Sequence, residues 1–394
     1  VLKVKENRAE IMRKQGLKVR WYSSVVILLV GLSLMTSCGD SPTAQPTPVA
    51  QTTVQLTTVS QTTTPPAVTT SVAASPNDTN AATTIPSGNF QNPVLVNDFA
   101  DPFVFAVNGT FYSYATNANS KNVQVATSSD MVNWNLGGDA LPALPKWAKL
   151  GGSLVWAPDV KQIGAKFVMY YTARDKASNK QCIGVATSDQ PEGKYKDSSE
   201  KPIVCQTDEG GDIDPNVFQD NSKLYLYFKN DGNCCQMPTS LYVQELAPDG
   251  LSLVGQPTKL ISNDLPWEGR VVEAPQMFKH DNNYYLFFSA NDYAGADYAV
   301  GYATCKTAVG PCQQADNNPI LKSVLKIPLV VGPGGQSLLQ VGDQTWIFYH
   351  AWEISSSGTK TNRRLMWLDK VDWKDGKPIV QGPTTDPQPS PKIK

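Results

Sequence analysis

Phe103-Val-Phe-Ala-Val-Asn-Gly-Thr-Phe-Tyr-Ser-Tyr114 is a short apolar strand, an Asn-Gly turn and a second strand rich in aromatics. The same pattern returns four times. It is found in Val160-Lys-Gln-Ile-Gly-Ala-Lys-Phe-Val-Met-Tyr-Tyr171, Val217-Phe-Gln-Asp-Asn-Ser-Lys-Leu-Tyr-Leu-Tyr-Phe228, Met277-Phe-Lys-His-Asp-Asn-Asn-Tyr-Tyr-Leu-Phe-Phe288 and Leu338-Leu-Gln-Val-Gly-Asp-Gln-Thr-Trp-Ile-Phe-Tyr349. Each copy reads as a β-hairpin, because Gly, Asn and Asp allow the tight turn that alternating apolar strands need. A further strand follows each hairpin: Val123–Ser128, Ile183–Ser188, Leu241–Leu246, Ala299–Thr304 and Arg364–Asp369. Copies lie about 55 to 62 residues apart. A unit of that length with about four strands fits a propeller blade. The spacing therefore predicts an all-β, five-bladed β-propeller over residues 89–386, with 387–394 as a C-terminal tail. A β-sandwich would not require such equal spacing.

In a propeller the first strand of each blade lines the central channel, so its entrance residues converge. These entrances read Ala100-Asp101-Pro102, Trp156-Ala157-Pro158-Asp159, Ile213-Asp214-Pro215, Val272-Glu273-Ala274-Pro275 and Gly334-Gly335-Gln336. Three of them carry a carboxylate: Asp101, Asp214 and Glu273. Any single Asp-Pro is explained as a strand start. Three carboxylates at one axis repel one another and raise at least one pKa, which is costly for a purely structural role. Glycoside hydrolysis, by contrast, needs one carboxyl as base and another as acid.

The rest of the chain is consistent with a neutral substrate. Lys plus Arg number 34 against 35 Asp plus Glu, a net charge of −1, with no basic patch for nucleic acid. Two histidines, His280 and His350, are too few for a multi-histidine metal site. Near the N-terminus, Arg13, Lys14, Lys18 and Arg20 precede an apolar run from Val25 to Met35, and Met35-Thr36-Ser37-Cys38 follows. A basic start, a short apolar stretch and small residues describe an export signal. Met12 opens a better-shaped signal than Val1. The ending resembles a bacterial lipobox with Cys38 as the lipidated residue, so residues 1–38 are expected to be a signal segment. Residues 39–88 are rich in Thr, Pro, Ser, Ala and Gln; such a composition buries too little to order itself and reads as a disordered tether. The expected location is the extracellular face, lipid-anchored to the membrane. The other six cysteines permit three disulfides in an exported chain. Proximity favours Cys182–Cys205 and Cys305–Cys312, leaving Cys234 and Cys235, although six cysteines allow fifteen pairings.

The sequence resembles glycoside hydrolase family 43. The resemblance is carried by Asn92-Pro93, Phe99-Ala100-Asp101-Pro102, Trp156-Ala157-Pro158-Asp159, Ile213-Asp214-Pro215, Val272-Glu273-Ala274-Pro275, Lys229-Asn230-Asp231-Gly232-Asn233, Gly332-Pro333-Gly334-Gly335-Gln336, Tyr349-His350-Ala351-Trp352 and Arg363-Arg364. It implies a five-bladed propeller that hydrolyses α-L-arabinofuranosyl linkages in arabinan or arabinoxylan, with inversion. A β-xylosidase or other xylan-active enzyme is the alternative within the family, and a non-catalytic carbohydrate-binding propeller is the alternative outside it. By the resemblance Asp101 is the general base and Glu273 the general acid. Asp214 orients Glu273 and keeps it protonated by its own charge. Trp156 forms an apolar wall under a sugar ring. Arg364, with Arg363 as the competing choice, contacts sugar hydroxyls near Asp214. His350 lies on the pocket floor, Gln336 binds sugar or water, and Asp159 supports its blade. No cofactor is required. Relatives that hold an axial calcium use a histidine near the position of Gly335 and Gln336, whose replacement here argues against that ion. The expected partner is plant cell-wall polysaccharide, and the expected form is a monomer.

Overall fold

The computed structural model describes residues 85–151 and 154–393. The expected signal segment, Cys38 and most of the tether lie outside these residues. Five sheets follow one another along the chain. Blade one comprises β2 (Phe103–Val107), β3 (Thr110–Ala115), β4 (Gln124–Ser128) and β5 (Asn135–Asp139); a short strand, β1 (Asn89–Phe90), precedes it. Blade two has three strands, β6 (Trp156–Ile163), β7 (Lys166–Arg174) and β8 (Gln181–Ser188). Blade three holds β9 (Asp212–Asp220), β10 (Lys223–Asn230), β11 (Ser240–Leu246) and β12 (Leu253–Ser262). Blade four holds β13 (Val272–His280), β14 (Asn283–Ala290), β15 (Ala299–Cys305) and β16 (Cys312–Gln314). Blade five holds β17 (Val331–Val341), β18 (Gln344–Ile354), β19 (Lys360–Lys374) and β20 (Lys377–Val380). Neighbouring strands within each blade are antiparallel. The five-bladed propeller expected from the repeat is the fold observed.

The core is distributed between blades. Side chains alternate across a strand, so each central strand buries one set against the preceding blade and the other against the next. In β7, Phe167, Met169 and Tyr171 pack with Tyr112 and Tyr114 of blade one. Val168 and Tyr170 pack with Val217 and Leu224 of blade three. Burial on both faces explains why these strands read as unbroken apolar runs. The same layering joins blades three and four through Leu241, Met277 and Leu286, and blades four and five through Phe287, Leu338 and Ile347. Second-strand tyrosines reinforce it by donating to carbonyls of the next blade: Tyr170 to Gly250 at 2.6 Å, Tyr227 to Ala308 at 2.5 Å and Tyr285 to Gly376 at 2.7 Å.

The ring closes without a covalent link between its first and last blades. Phe90, Phe99, Val104 and Phe111 pack against Trp346, Phe348 and Met366. The Val94 amide donates to the Met366 carbonyl, and the Phe99 amide to that of Arg364. Asn92 bridges the seam, donating to the Leu368 carbonyl and accepting from its amide. β21 (Gln388–Pro389) pairs with β1, so residues 387–394, read above as a tail, contribute to the closure. The cysteines pair as Cys182–Cys205, Cys234–Cys235 and Cys305–Cys312.

Candidate active site

Each innermost strand is kinked where it enters the channel. Asp101, Ala157, Asp214, Ala274 and Gly335 all adopt positive φ, between 39° and 58°, one residue per blade. Asp tolerates this left-handed region better than most side chains, and glycine best. Gly335 is further constrained: a Cβ there would lie 2.6 Å from Asp101 Oδ1 and 2.7 Å from the His350 ring. The register of pairing slips at the kinks, as between Glu273 and Gln276 or Trp156 and Asp159, which is the mark of a β-bulge.

This alignment corrects the expected equivalence of the three carboxylates. Asp101 and Asp214 share the kink position. Glu273 stands one residue earlier, in register with Ile213, Trp156 and Gly334: these residues pair with Ser289, Lys229, Thr172 and His350 respectively on the second strands. A one-residue offset changes where a side chain projects. It allows Glu273 and Asp214 to differ in direction while remaining close.

The second-strand residues form a belt behind the kinks. The Ala157 amide donates to Thr116 Oγ1 at 3.0 Å and the Asp214 amide to Thr172 Oγ1 at 3.2 Å. The Gly335 amide donates to Ser289 Oγ at 2.9 Å, and the Asp101 amide to His350 Nδ1 at 3.1 Å. In each case the acceptor belongs to the preceding blade around the ring. The exception is blade three, where the corresponding residue is Lys229. An ammonium has no acceptor, and the Ala274 amide donates instead to Asp214 Oδ2 at 2.9 Å.

A cavity of about 500 Å³ opens above the belt. Its walls include Asp101, Asp214, Glu273, Trp156, Gln336 and Arg364, so most of the predicted residues are brought together. Arg364 Nη1 lies 3.6 Å from Asp101 Oδ1, placing the guanidinium beside Asp101 rather than near Asp214 as expected. Arg363 pairs with Glu353 instead. His350 is fully buried and does not line the cavity; it acts on Asp101, through the amide contact and a 3.3 Å approach of Nδ1 to Oδ1. Its expected place on the pocket floor is therefore corrected. Gln336 faces the cavity, but its amide is engaged in joining blades: Ser289 donates to Oε1 at 2.6 Å, and Nε2 donates to the Ala274 carbonyl at 2.7 Å. Asp159 is buried and accepts from Asn216 Nδ2 at 2.7 Å, tying blade two to blade three.

The carboxylates have opposite surroundings. Burial by itself would raise Asp101; the Arg364 guanidinium, then His350, and last the Thr116 hydroxyl, 2.5 Å from Oδ2, outweigh it and hold the carboxyl well below the usual range. His350 is driven down by burial and by Arg364, which keeps the ring neutral and its Nδ1 available as acceptor. Asp214 is pushed up to about 8, first by burial and then by the charge of Glu273. Asp214 thus retains its proton beside Glu273. Glu273 accepts from Tyr298 OH at 2.8 Å and from Lys229 Nζ at 3.2 Å. The cavity thus holds one carboxyl favoured as an anion, Asp101, and one favoured with its proton, Asp214, in contrasting surroundings.

Thr116 and Tyr298 escaped the sequence reading, and Lys229 was read only as part of a motif, without a role. The signal of Thr116 and Lys229 was the second-strand position opposite the entrance, which a comparison of first strands alone does not reach; Tyr298 stands just before β15, outside that pattern. Calcium prefers six to eight oxygen ligands. Among the described residues no cluster of three or more His, Cys, Asp or Glu side chains has metal-binding geometry. His350 Nε2 is buried without a hydrogen-bond partner.

The chain is similar to known proteins over most of its length. The model of the family "Glycosyl hydrolases family 43" matches residues 90–378. A probable arabinan endo-1,5-alpha-L-arabinosidase A of Aspergillus fumigatus is 24% identical over 329 residues, covering 76% of this chain and 94% of the relative. The crystal structure of a thermostable family-43 glycoside hydrolase superimposes with a TM-score of 0.70 at 31% identity, over 77% of this chain and 100% of that one. An endo-1,4-beta-xylanase from Bacteroides thetaiotaomicron superimposes with a TM-score of 0.63 at 28% identity, over 76% and 99%.

Proposed function

The chain belongs to glycosyl hydrolase family 43 and is a glycosidase acting on O-glycosyl bonds; from that premise we propose that it cleaves α-L-arabinofuranosyl linkages in arabinan or arabinoxylan with inversion. The observation that supports this reading is the opposition of Asp101 to the Asp214–Glu273 pair across one cavity. Asp101, anionic, takes a proton from water as the water oxygen attacks the anomeric carbon. The bond from that carbon to the glycosidic oxygen breaks, and its electron pair stays on the oxygen. Glu273 delivers its proton there, and the sugar leaves neutral. Asp214 favours retention of that proton before transfer. Trp156 offers an apolar face, and Arg364 both holds Asp101 anionic and donates toward sugar hydroxyls.

The arabinanase likeness supports the arabinan assignment. The likeness to an endo-1,4-beta-xylanase favours xylan as the second reading. All three carboxylates are present, against a binding-only propeller. Turnover on arabinan, arabinoxylan and xylan, with products followed by NMR, tests both parts. Arabinose-containing products of inverted configuration are expected. Retention would overturn the mechanism, and xylose-only products would overturn the substrate. We further propose that residues 1–38 direct export, with Cys38 lipidated and 39–88 as tether. A Cys38→Ser chain that still partitioned with membranes would contradict the anchor.

A further inference from the structure

Lys229 is the anomaly of the belt. Four blades present a neutral acceptor, Thr116, Thr172, Ser289 or His350, to the kink of the next blade. Blade three presents an ammonium with no exposed side-chain surface. Burying a cation is costly unless it is paired and hydrogen-bonded. Its stem occupies the same register position as the neutral residues, so a threonine there would satisfy the Ala274 amide at lower cost. The partners of Nζ are Glu273 Oε2 at 3.2 Å and Asn233 Oδ1 at 2.7 Å. The surrogate for the missing acceptor is Asp214, whose Oδ2 takes the Ala274 amide. One substitution in the repeat thus places a cation against Glu273 and turns Asp214 toward the segment that carries Glu273.

Other charged and titratable groups around Glu273 do not duplicate this role. Tyr298, from the segment before β15, donates a neutral hydrogen bond. Asp214 on β9 and Asp231 after β10 are carboxyls whose proton affinity is raised by burial and by the charge of Glu273, and neither supplies positive charge. Asp101, His350 and Arg364 lie at the other pole, where the guanidinium pairs with Asp101. Among the described residues, Lys229 is the only cation paired with Glu273.

We propose that Lys229 is a positioning residue that stabilises the carboxylate Glu273 becomes on giving up its proton, and so governs protonation of the leaving sugar. This rests on the reading of Glu273 as the acid. Asp214 favours the proton before transfer, and Lys229 compensates the charge that appears as the proton moves to the glycosidic oxygen. Only the second interaction strengthens along the reaction, which is what lowers the barrier.

The experiment compares Lys229→Met, Lys229→Arg and Glu273→Gln on an arabino-oligosaccharide and on an aryl arabinofuranoside whose phenolate leaves without protonation. For Lys229→Met, kcat on the oligosaccharide should fall by about 10²-fold, and by less than about 10-fold on the aryl substrate. The alkaline limb of its pH–rate profile should move to higher pH by roughly one unit, because a cation favouring the deprotonated pair is gone. Lys229→Arg should keep the limb near that of the parent. Equal losses on both substrates with an unmoved limb would reduce Lys229 to a structural role and overturn the proposal. If Lys229→Met does not fold, Lys229→Gln, neutral and able to bond Asn233, should show the same shift. Glu273→Gln separates the two readings: normal oligosaccharide turnover would overturn Glu273 as acid. If Glu273→Gln loses oligosaccharide turnover and Lys229 variants leave the limb unmoved, the Lys229 inference fails alone.

Discussion

Asp101 and Asp214 occupy the same kink in blades one and three, with nearly equal φ of 54° and 55°, yet their proton affinities diverge in opposite directions. Backbone conformation is therefore not what distinguishes them. The difference arises in the second strands and the neighbouring blade. Asp101 meets Thr116 from its own blade and Arg364 from blade five, a hydroxyl and a guanidinium that both favour the anion. Asp214 meets Glu273, a second carboxyl, and its offset from Lys229 leaves burial and like charge dominant. A repeated scaffold supplies matched positions, and the residues behind them assign the roles.

That contrast can be broken most sharply at Asp101. Asp101→Asn keeps the size of the side chain and removes the base; turnover should fall by on the order of 10³-fold on both oligosaccharide and aryl substrates. Near-normal turnover would remove Asp101 from the mechanism. A smaller effect is expected from Arg364→Met. The Asp101 carboxyl is depressed chiefly by Arg364, so its loss should move the acid limb of kcat/KM upward, toward the ordinary carboxylate range, by roughly one to two pH units. An acid limb that stays put would mean that Arg364 serves binding alone. Thr116→Val should act least. The same limb should rise by a few tenths of a unit, and stability should drop by about 1 kcal/mol because the Ala157 amide loses its acceptor. A larger shift than that of Arg364→Met would reverse the order of causes. At the other pole, activity of the parent should decline as pH rises through the titration of Asp214, which stands at about 8.

The fold was legible because its signal is local and repeated. A hairpin of some twelve residues declares itself by alternation and turn chemistry, and five copies multiply the signal. The carboxylates were legible because Asp-Pro and Glu-Ala-Pro stand at comparable places in the copies. Their exact equivalence was not, since a bulge adds a residue to one strand without marking the sequence, and Glu273 proved to sit one place before the kink. Arg364 was drawn from the right pair of arginines but assigned to the wrong carboxylate. Its neighbour Asp101 enters the first blade while Arg364 belongs to the last, and ring closure brings them together.

By itself, then, the sequence determined the number of blades, the strands that line the channel and the identity of the three carboxyls, because each depends on residues within one repeat. Tertiary structure decided which carboxyl is held anionic, which one keeps its proton, why His350 lies behind Asp101 and why Lys229 faces Glu273. Those outcomes depend on distances between side chains of different blades. Electrostatic interactions depend on separation and burial in space, and neither is written in the order of residues along the chain.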